Sequence, residues 1–328
     1  MSRKWHAISK SCANIALAKY WGKADVPLNL PAVPSISITL DGLVTETKLR
    51  VDPSLSEDRV ELDGRVATAA EAARVVALLD EIRRRARRTE RAHVVSRNRF
   101  PTAAGLASSA SGFAALAAAA DRAYQLGASE RVLSAVARQA SASAARSIFG
   151  GYVELPAGTP GKRSLAAKPI APADHWDLRI VVAQAAKGPK KVGSTEGMER
   201  SRHTSPFYDA WLEKAPAITK TIRTALKRRE LDTLGAAMEQ STMAFHACAM
   251  TASPGILYWQ PATIAALHTV RRLRDERGIS VWATMDAGPH VKALCHAEDA
   301  RKVRRALRDT PGVLGTLVAA PGPGVSVR

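Results

Sequence analysis

Acidic residues, aromatics and cysteines are all in short supply in this chain. Asp and Glu number 30 against 48 Lys and Arg, leaving a net charge of +18, and aromatics make up 5% of 328 residues. The three cysteines, Cys12, Cys248 and Cys295, are odd in number and widely spaced, which argues against a disulfide framework. No apolar run reaches the roughly 18–20 residues of a membrane span; Ala114–Ala120 ends at Asp121 and Arg122. The opening Met1-Ser-Arg-Lys-Trp-His6 leads into no apolar segment, so no secretory signal is read, and a cytoplasmic protein without membrane contact is expected.

The excess of positive charge invites a nucleic-acid reading. Its distribution argues otherwise. The runs Arg83–Arg88, Lys227–Arg229, Arg271–Arg274 and Arg301–Arg305 lie within or beside apolar residues at helical spacing, and read as solvated faces of separate amphipathic helices. With so few aromatics there is little to build a stacking platform for single strands. No nucleic-acid partner is expected, although a positive field helps to gather a polyanionic small substrate.

What is present is enough chain for two domains and a hydrophobic share of 46%, as in globular proteins. The alternation in Ser35–Leu40, then Asp41-Gly42 and Thr45–Val51, predicts a hairpin. Helices are predicted over 68–89, 107–125, 129–140, 208–225, 231–248, 263–277 and 299–308, and strands over 93–96, 178–183, 280–285 and 315–319. A Pro-, Ala- and Gly-rich loop covers Pro156–Pro172. Strands in runs and clustered helices favour an α+β fold over a doubly wound sheet. A boundary in 170–190 divides the chain into domains 1–180 and 181–328.

The run Pro101-Thr-Ala-Ala-Gly105-Leu106-Ala107-Ser108-Ser109-Ala-Ser-Gly112 opens an alanine-rich helix. Small residues allow close backbone approach, and unpaired N–H groups of a first helical turn favour an anion, most often phosphate. It lacks the Gly-Lys-Ser/Thr ending of a P-loop. Alone, it could equally be a tight helix start. Four other stretches keep it company. Lys19-Tyr20-Trp21-Gly22-Lys23 could be no more than a strand end packing its aromatics. Ser141-Ala142-Ser143-Ala144-Ala145-Arg146 offers hydroxyls and a guanidinium fork to an oxyanion, or else is an exposed helix end. Ser194-Thr-Glu-Gly197-Met198 reads as a small polar loop, and Asp286-Ala-Gly-Pro289 places an acid at a strand end, where a turn cap is the commoner role. His246 and Cys248 have ligand chemistry but no second pair at metal-site spacing, and read as helix packing.

In this order the stretches resemble the mevalonate diphosphate decarboxylases of the GHMP kinase superfamily, from Asn14 to Pro321-Gly-Pro-Gly324. The resemblance implies a ribosomal-S5-like N-terminal domain and a ferredoxin-like C-terminal domain with the site in the cleft between them. It implies that ATP phosphorylates the 3-hydroxyl of mevalonate 5-diphosphate, and that loss of phosphate and CO2 gives isopentenyl diphosphate. Carried onto these positions, it makes Asp286 the acid-base residue, with Lys23 at the transferring phosphoryl group and Arg146 on the substrate carboxylate. Tyr20, Trp21, Gly22, Ser141, Ala142, Ser143, Ala144, Gly197 and Met198 join Lys23 and Arg146 around the substrate. Ser96, Pro101, Gly105, Leu106, Ala107, Ser108 and Ser109 hold ATP, Mg²⁺ comes with the nucleotide, and a homodimer is implied. The chain departs from the family pattern at Val33, Pro34, Ala145 and His290, which bears on substrate identity, since relatives of this fold act on monophosphates or stop at phosphorylation. A neutral, hydrogen-bonded His290 is expected.

Overall fold

The computed structural model describes residues 6–100, 108–188 and 190–328. The first half contains strands β1 (Ala7–Ala18), β2 (Lys23–Asp25), β3 (Leu30–Pro31), β4 (Ser35–Val51), β5 (Arg59–Leu62) and β6 (Arg65–Val66), then helix α1 (Ala69–Ala86) and β7 (Ala92–Asn98). Helices α2 (Ser108–Ala123), α3 (Glu130–Ala140) and the single turn α4 (Ala144–Ser147) precede β8 (Tyr152–Leu155) and β9 (Lys168–Ala171). The second half runs β10 (Leu178–Gln184), α5 (Ser194–Thr204), α6 (Tyr208–Arg228), α7 (Leu231–Met250), α8 (Pro261–Asp275), β11 (Val281–Thr284), β12 (Val291–His296), α9 (Ala300–Arg308), β13 (Gly315–Ala319) and β14 (Ser326–Val327).

Two main sheets result. The first has the order β14-β1-β4-β7-β5-β6, with β8 on the other half of β4 and β9 beyond it; the second has the order β11-β12-β10-β13. The α+β assignment holds. The predicted hairpin at Asp41-Gly42 does not form: β4 is one strand of 17 residues. Its neighbour β1 pairs along both halves and shifts register between Cys12 and Asn14, so Gly42, at φ +78°, accommodates a bulge rather than a turn. The 156–172 loop contains a strand, β9, and the polar segment at Ser194 is the first turn of a helix, α5.

Local signals explain the helices that were legible. Thr68 and Glu71 form a reciprocal capping box at α1, and Ser129 caps α3. The alanines of α2 let it lie close on the first sheet, where Ser9 Oγ donates to Ala115 O at 2.6 Å and Thr45 and Ser111 hydroxyls meet at 2.6 Å. Within the four basic runs, one basic residue is buried rather than on a solvated face. Arg83 is 3% exposed and bonded to Asp58, Asp80 and Tyr124, so the run at 83–88 begins inside the core.

A single apolar core joins the two sheets. Ile15, Leu17, Ile36 and Ile38 of the first sheet pack in one cluster with Ile180 and Val182 of the second and with Ile222, Leu234 and Met238 of α6 and α7. The ends of β1 and β11 therefore face each other across a gap whose floor is fixed by packing.

Candidate active site

That gap is a cavity of about 860 Å³. Lys19 and Tyr20 enter it from the end of β1, Ser141, Ala142 and Ser143 from the turn between α3 and α4, Arg146 from α4, Gly193–Thr195 from the start of α5, and Asp286 from the end of β11. Asp286 Oδ1 lies 2.8 Å from Lys19 Nζ, and Oδ2 lies 2.9 Å from Lys292 Nζ. Lys19 and Lys292 are buried, while the Asp286 side chain keeps 30% exposure toward the cavity. Burial acts to raise the Asp286 pKa, but the two ammoniums outweigh it and hold the carboxyl well below the usual carboxylate range. Lys19 is driven the other way. Burial lowers its pKa to about 8, against the pull of Asp286.

Arg146 is also buried. Its Nε and Nη1 donate to Ser37 Oγ at 2.9 Å and Ser35 Oγ at 2.6 Å, and Nη2 reaches Asn14 Oδ1 at 3.4 Å. A guanidinium carries five N–H groups, so part of its donor set stays available to the cavity it lines. Asn14 in turn donates to Ser143 O and Ser147 Oγ, which ties α4 to β1. Ser141 and Ser143 hydroxyls meet at 3.1 Å. The Tyr20 hydroxyl and the Trp21 indole N–H are buried without a protein partner among the described residues, and both side chains line the cavity.

Of the residues expected at the site, Tyr20, Trp21, Lys23, Ser109, Ser141, Ala142, Ser143, Arg146, Met198 and Asp286 line the cavity. Gly22, Ala144, Gly197, Ser96 and Ser108 are not part of its wall. Gly22 works from behind: its φ is +103°, and a Cβ there would lie 2.0 Å from the Tyr208 hydroxyl oxygen. A Cβ on Gly197 would come within 2.7 Å of Tyr258 Oη and 2.9 Å of Trp21, so this glycine lets α5 seat against the aromatics. Ser96 bonds Thr47 across the first sheet at 2.9 Å instead of facing the cavity. Pro101, Gly105, Leu106 and Ala107 lie outside the described residues.

Several wall residues had no role in the sequence reading: Asn14, Lys19, Lys190, Ser194 and Thr195, which stood within or beside the stretches it singled out, and Arg74, which it passed over. Lys190 Nζ donates to Ser194 Oγ at 2.7 Å and to Ala287 O at 2.9 Å, linking α5 to the Asp286 loop. Lys19, Lys23, Arg74, Arg146 and Lys190 thus face the cavity with only Asp286 and Glu81 as carboxylates among the described lining residues. That balance suits a polyanion. The first turn of α5 adds N–H groups that no side chain caps.

The four departures sit behind the wall rather than in it. Val33 packs with Trp21 and Met198, and the Ala145 carbonyl accepts from Ser134. His290 Nδ1 accepts the Ala185 N–H at 3.1 Å, and burial pushes its pKa down to about 4, so it stays neutral near pH 7. His246 packs against Phe245 and Trp259, and burial pushes its pKa down to about 3.

Comparison with known proteins agrees with this geometry. Residues 11–166 match the diphosphomevalonate decarboxylase-like N-terminal domain, and 179–313 the mevalonate 5-diphosphate decarboxylase C-terminal domain. The chain is 38% identical to human diphosphomevalonate decarboxylase over 299 residues, 85% of this chain and 74% of that protein. It is 36% identical to the Ganoderma lucidum protein of that name over 325 residues, covering 91% and 80%. The mevalonate diphosphate decarboxylase of Staphylococcus aureus superposes with a TM-score of 0.92 at 32% identity, covering 98% of both chains. A relative solved in complex with MVAPP, AMPPCP and magnesium gives 0.91 at 36% identity, again over 98% of each. Matched in both halves by sequence and along nearly its whole length by structure, with the GHMP kinase fold they share, the chain belongs to the diphosphomevalonate decarboxylase family.

Proposed function

We propose that this chain catalyses the ATP-dependent decarboxylation of mevalonate 5-diphosphate to isopentenyl diphosphate, releasing ADP, phosphate and CO2 in isoprenoid synthesis. The observation that carries the reading is one ionised carboxylate, Asp286, presented in a cavity lined by five cationic side chains. The substrate brings a diphosphate and a carboxylate, and ATP brings a triphosphate, so the cavity must neutralise several anionic groups at once.

The 3-hydroxyl donates a hydrogen bond to Asp286, which turns the oxygen lone pair toward the γ-phosphorus. A tertiary alcohol is crowded, so this placement contributes as much as basicity. With both oxygens against ammoniums, Asp286 acts chiefly by orienting the hydroxyl; as the O–P bond forms and the bond to ADP breaks, the hydroxyl proton passes to an oxygen of the transferring phosphoryl group. Lys23 faces the phosphoryl charge, and Arg146 holds the substrate carboxylate in line with the bond that breaks. Ser141, Ser143, Tyr20 and Arg74 take the diphosphate with the N–H groups of α5. Ser109 and the loop before it hold the ATP phosphates. As phosphate departs, C3 becomes electron-poor, and the C–C bonding electrons flow in to form the alkene and CO2.

The donor set fits Mg²⁺ that arrives on the nucleotide. Among described lining residues only Glu81 and Asp286 are carboxylates, and ammoniums already cover Asp286. Held by phosphate oxygens and water, the ion neutralises charge on the triphosphate. Residues 1–180 are taken as the ATP-binding domain and 181–328 as its partner, in a cytoplasmic homodimer. Light scattering tests the oligomer. The reaction itself is tested by ADP and CO2 release from carboxyl-labelled mevalonate 5-diphosphate, with the 5-monophosphate alongside. Matched ADP and CO2 with the diphosphate support the reading; ADP without CO2 replaces it with a kinase.

A further inference from the structure

Two ammoniums hold the Asp286 carboxylate, and only one of them belongs to the cavity wall. Lys292 is the second residue of β12, 1% exposed, opposite Val182 of β10 and Thr284 of β11. Val291, Ala293 and Cys295 on the same strand pack into the core against α8 and α9. Burying a lysine in such a sheet is costly unless its charge is paired. The hydrogen bond that Lys292 Nζ makes is to Asp286 Oδ2, at 2.9 Å. Lys19 Nζ, by contrast, divides itself between Asp286 Oδ1 and the Ala16 carbonyl. One contact alone would leave the carboxylate free to swing about its Cβ–Cγ bond, whereas contacts on both oxygens fix its plane.

We propose that Lys292 is a positioning residue, which reaches Asp286 from inside the second sheet, fixes the plane of its carboxylate and supplies its second counter-charge. It rests on the reading of Asp286 as the group that orients the 3-hydroxyl. The charged and titratable groups around Asp286 are Lys19 on β1, Arg146 on α4, Lys190 before α5, His246 on α7, His290 in its own loop and Lys292 on β12. Lys292 can be replaced without substituting any residue that lines the cavity. With Lys292 gone, burial meets less opposition and the Asp286 carboxyl becomes easier to protonate.

The test uses Lys292→Met, Lys292→Gln and Lys292→Ala in the full chain, with steady-state kinetics from pH 5 to 9. Expected are a kcat at least roughly tenfold lower and KM values for both substrates within about threefold. Propylamine should restore part of the Lys292→Ala activity, and propan-1-ol should not. If the methionine variant does not fold, the glutamine variant, which keeps a donor but no charge, takes its place. Folded variants with kcat within twofold of the parent, or equal rescue by the alcohol, would reduce Lys292 to packing. A parent that releases no CO2 overturns the functional reading instead, so the two failures are distinguishable.

Discussion

Replacing Asp286 by asparagine tests the site and its electrostatics together. The change keeps the side-chain shape but leaves Lys19 and Lys292 facing an uncharged amide. At 2.8 Å and an effective dielectric of about 20, one such contact is worth roughly 6 kcal/mol before desolvation. Most of that is offset, and breaking buried pairs typically costs about 3–5 kcal/mol. Because Asp286 is part-exposed, a loss near the lower end, about 3 kcal/mol, is expected. For a chain of 328 residues that lowers Tm by roughly 4 °C. Turnover should fall about 10³-fold, as for the loss of a positioned hydrogen-bond acceptor at the reacting hydroxyl, while ATP binding persists. The pH dependence of the stability loss is diagnostic. In the parent, Lys19 has a pKa of about 8 against 10.5 unfolded, so the unfolded state binds more protons between these values and stability rises with pH across them. Without the carboxylate the folded value falls further, and the rise begins at lower pH. The Tm deficit should therefore shrink from pH 7 to 9 in calorimetric scans. A constant or growing deficit would refute the ammonium argument, and turnover within tenfold of the parent would remove Asp286 from the centre of the reaction.

Lys19 sets a second pH effect: kcat should decline above about pH 8 as its ammonium is lost, and Lys19→Arg should remove that alkaline limb in a pH–rate profile. Gly22→Ala should destabilise the chain by about 2 kcal/mol or more, since it combines φ +103° with a clash at Tyr208. Adding Tyr208→Phe should recover only the hydroxyl's share of the clash, since Cζ would still lie 2.9 Å from the new Cβ, and a double-mutant cycle of denaturant midpoints separates that share. His290, near 4 folded and 6.5 unfolded, makes stability fall as pH drops through that window, because the unfolded state takes up the proton first. His290→Asn should flatten the slope of Tm against pH between 4 and 6.5.

Most helices were legible because their signals are local. Thr68-to-Glu71 and Ser129 mark helix starts, and the helical spacing behind them fixes length. The hairpin failed because Asp41-Gly42 has turn chemistry, while the continuous pairing partner, β1, lies outside that window of sequence. The site was legible where small and hydroxyl residues cluster, as at Ser141–Arg146. Arg74 was hidden among the arginines of α1, and Ser194 within a stretch that reads as a loop until α5 is seen. Lys292 left a signal that went unread: a lysine between Val291 and Ala293, inside a six-residue strand with no other charge. A charge placed where periodicity demands an apolar side chain calls for a partner, and here the partner is the carboxylate.

The same charges govern both binding and stability. Lys19 is kept charged at neutral pH against burial, and burial also pulls down the pKa values of Lys23, Arg74, Arg146 and Lys190 around the cavity. A protein selected for stability alone would replace such groups by apolar ones of similar size. The cost is carried by the shared core beneath the cavity, where both sheets and α6 and α7 pack as one unit. A bound polyanion relieves the repulsion that the core holds in check, so affinity for phosphates and the gain in Tm on binding them have a common origin. The departures from the family pattern fit this division. Val33, Pro34, Ala145 and His290 vary the packing behind the wall, and the charges that line the cavity are left in place.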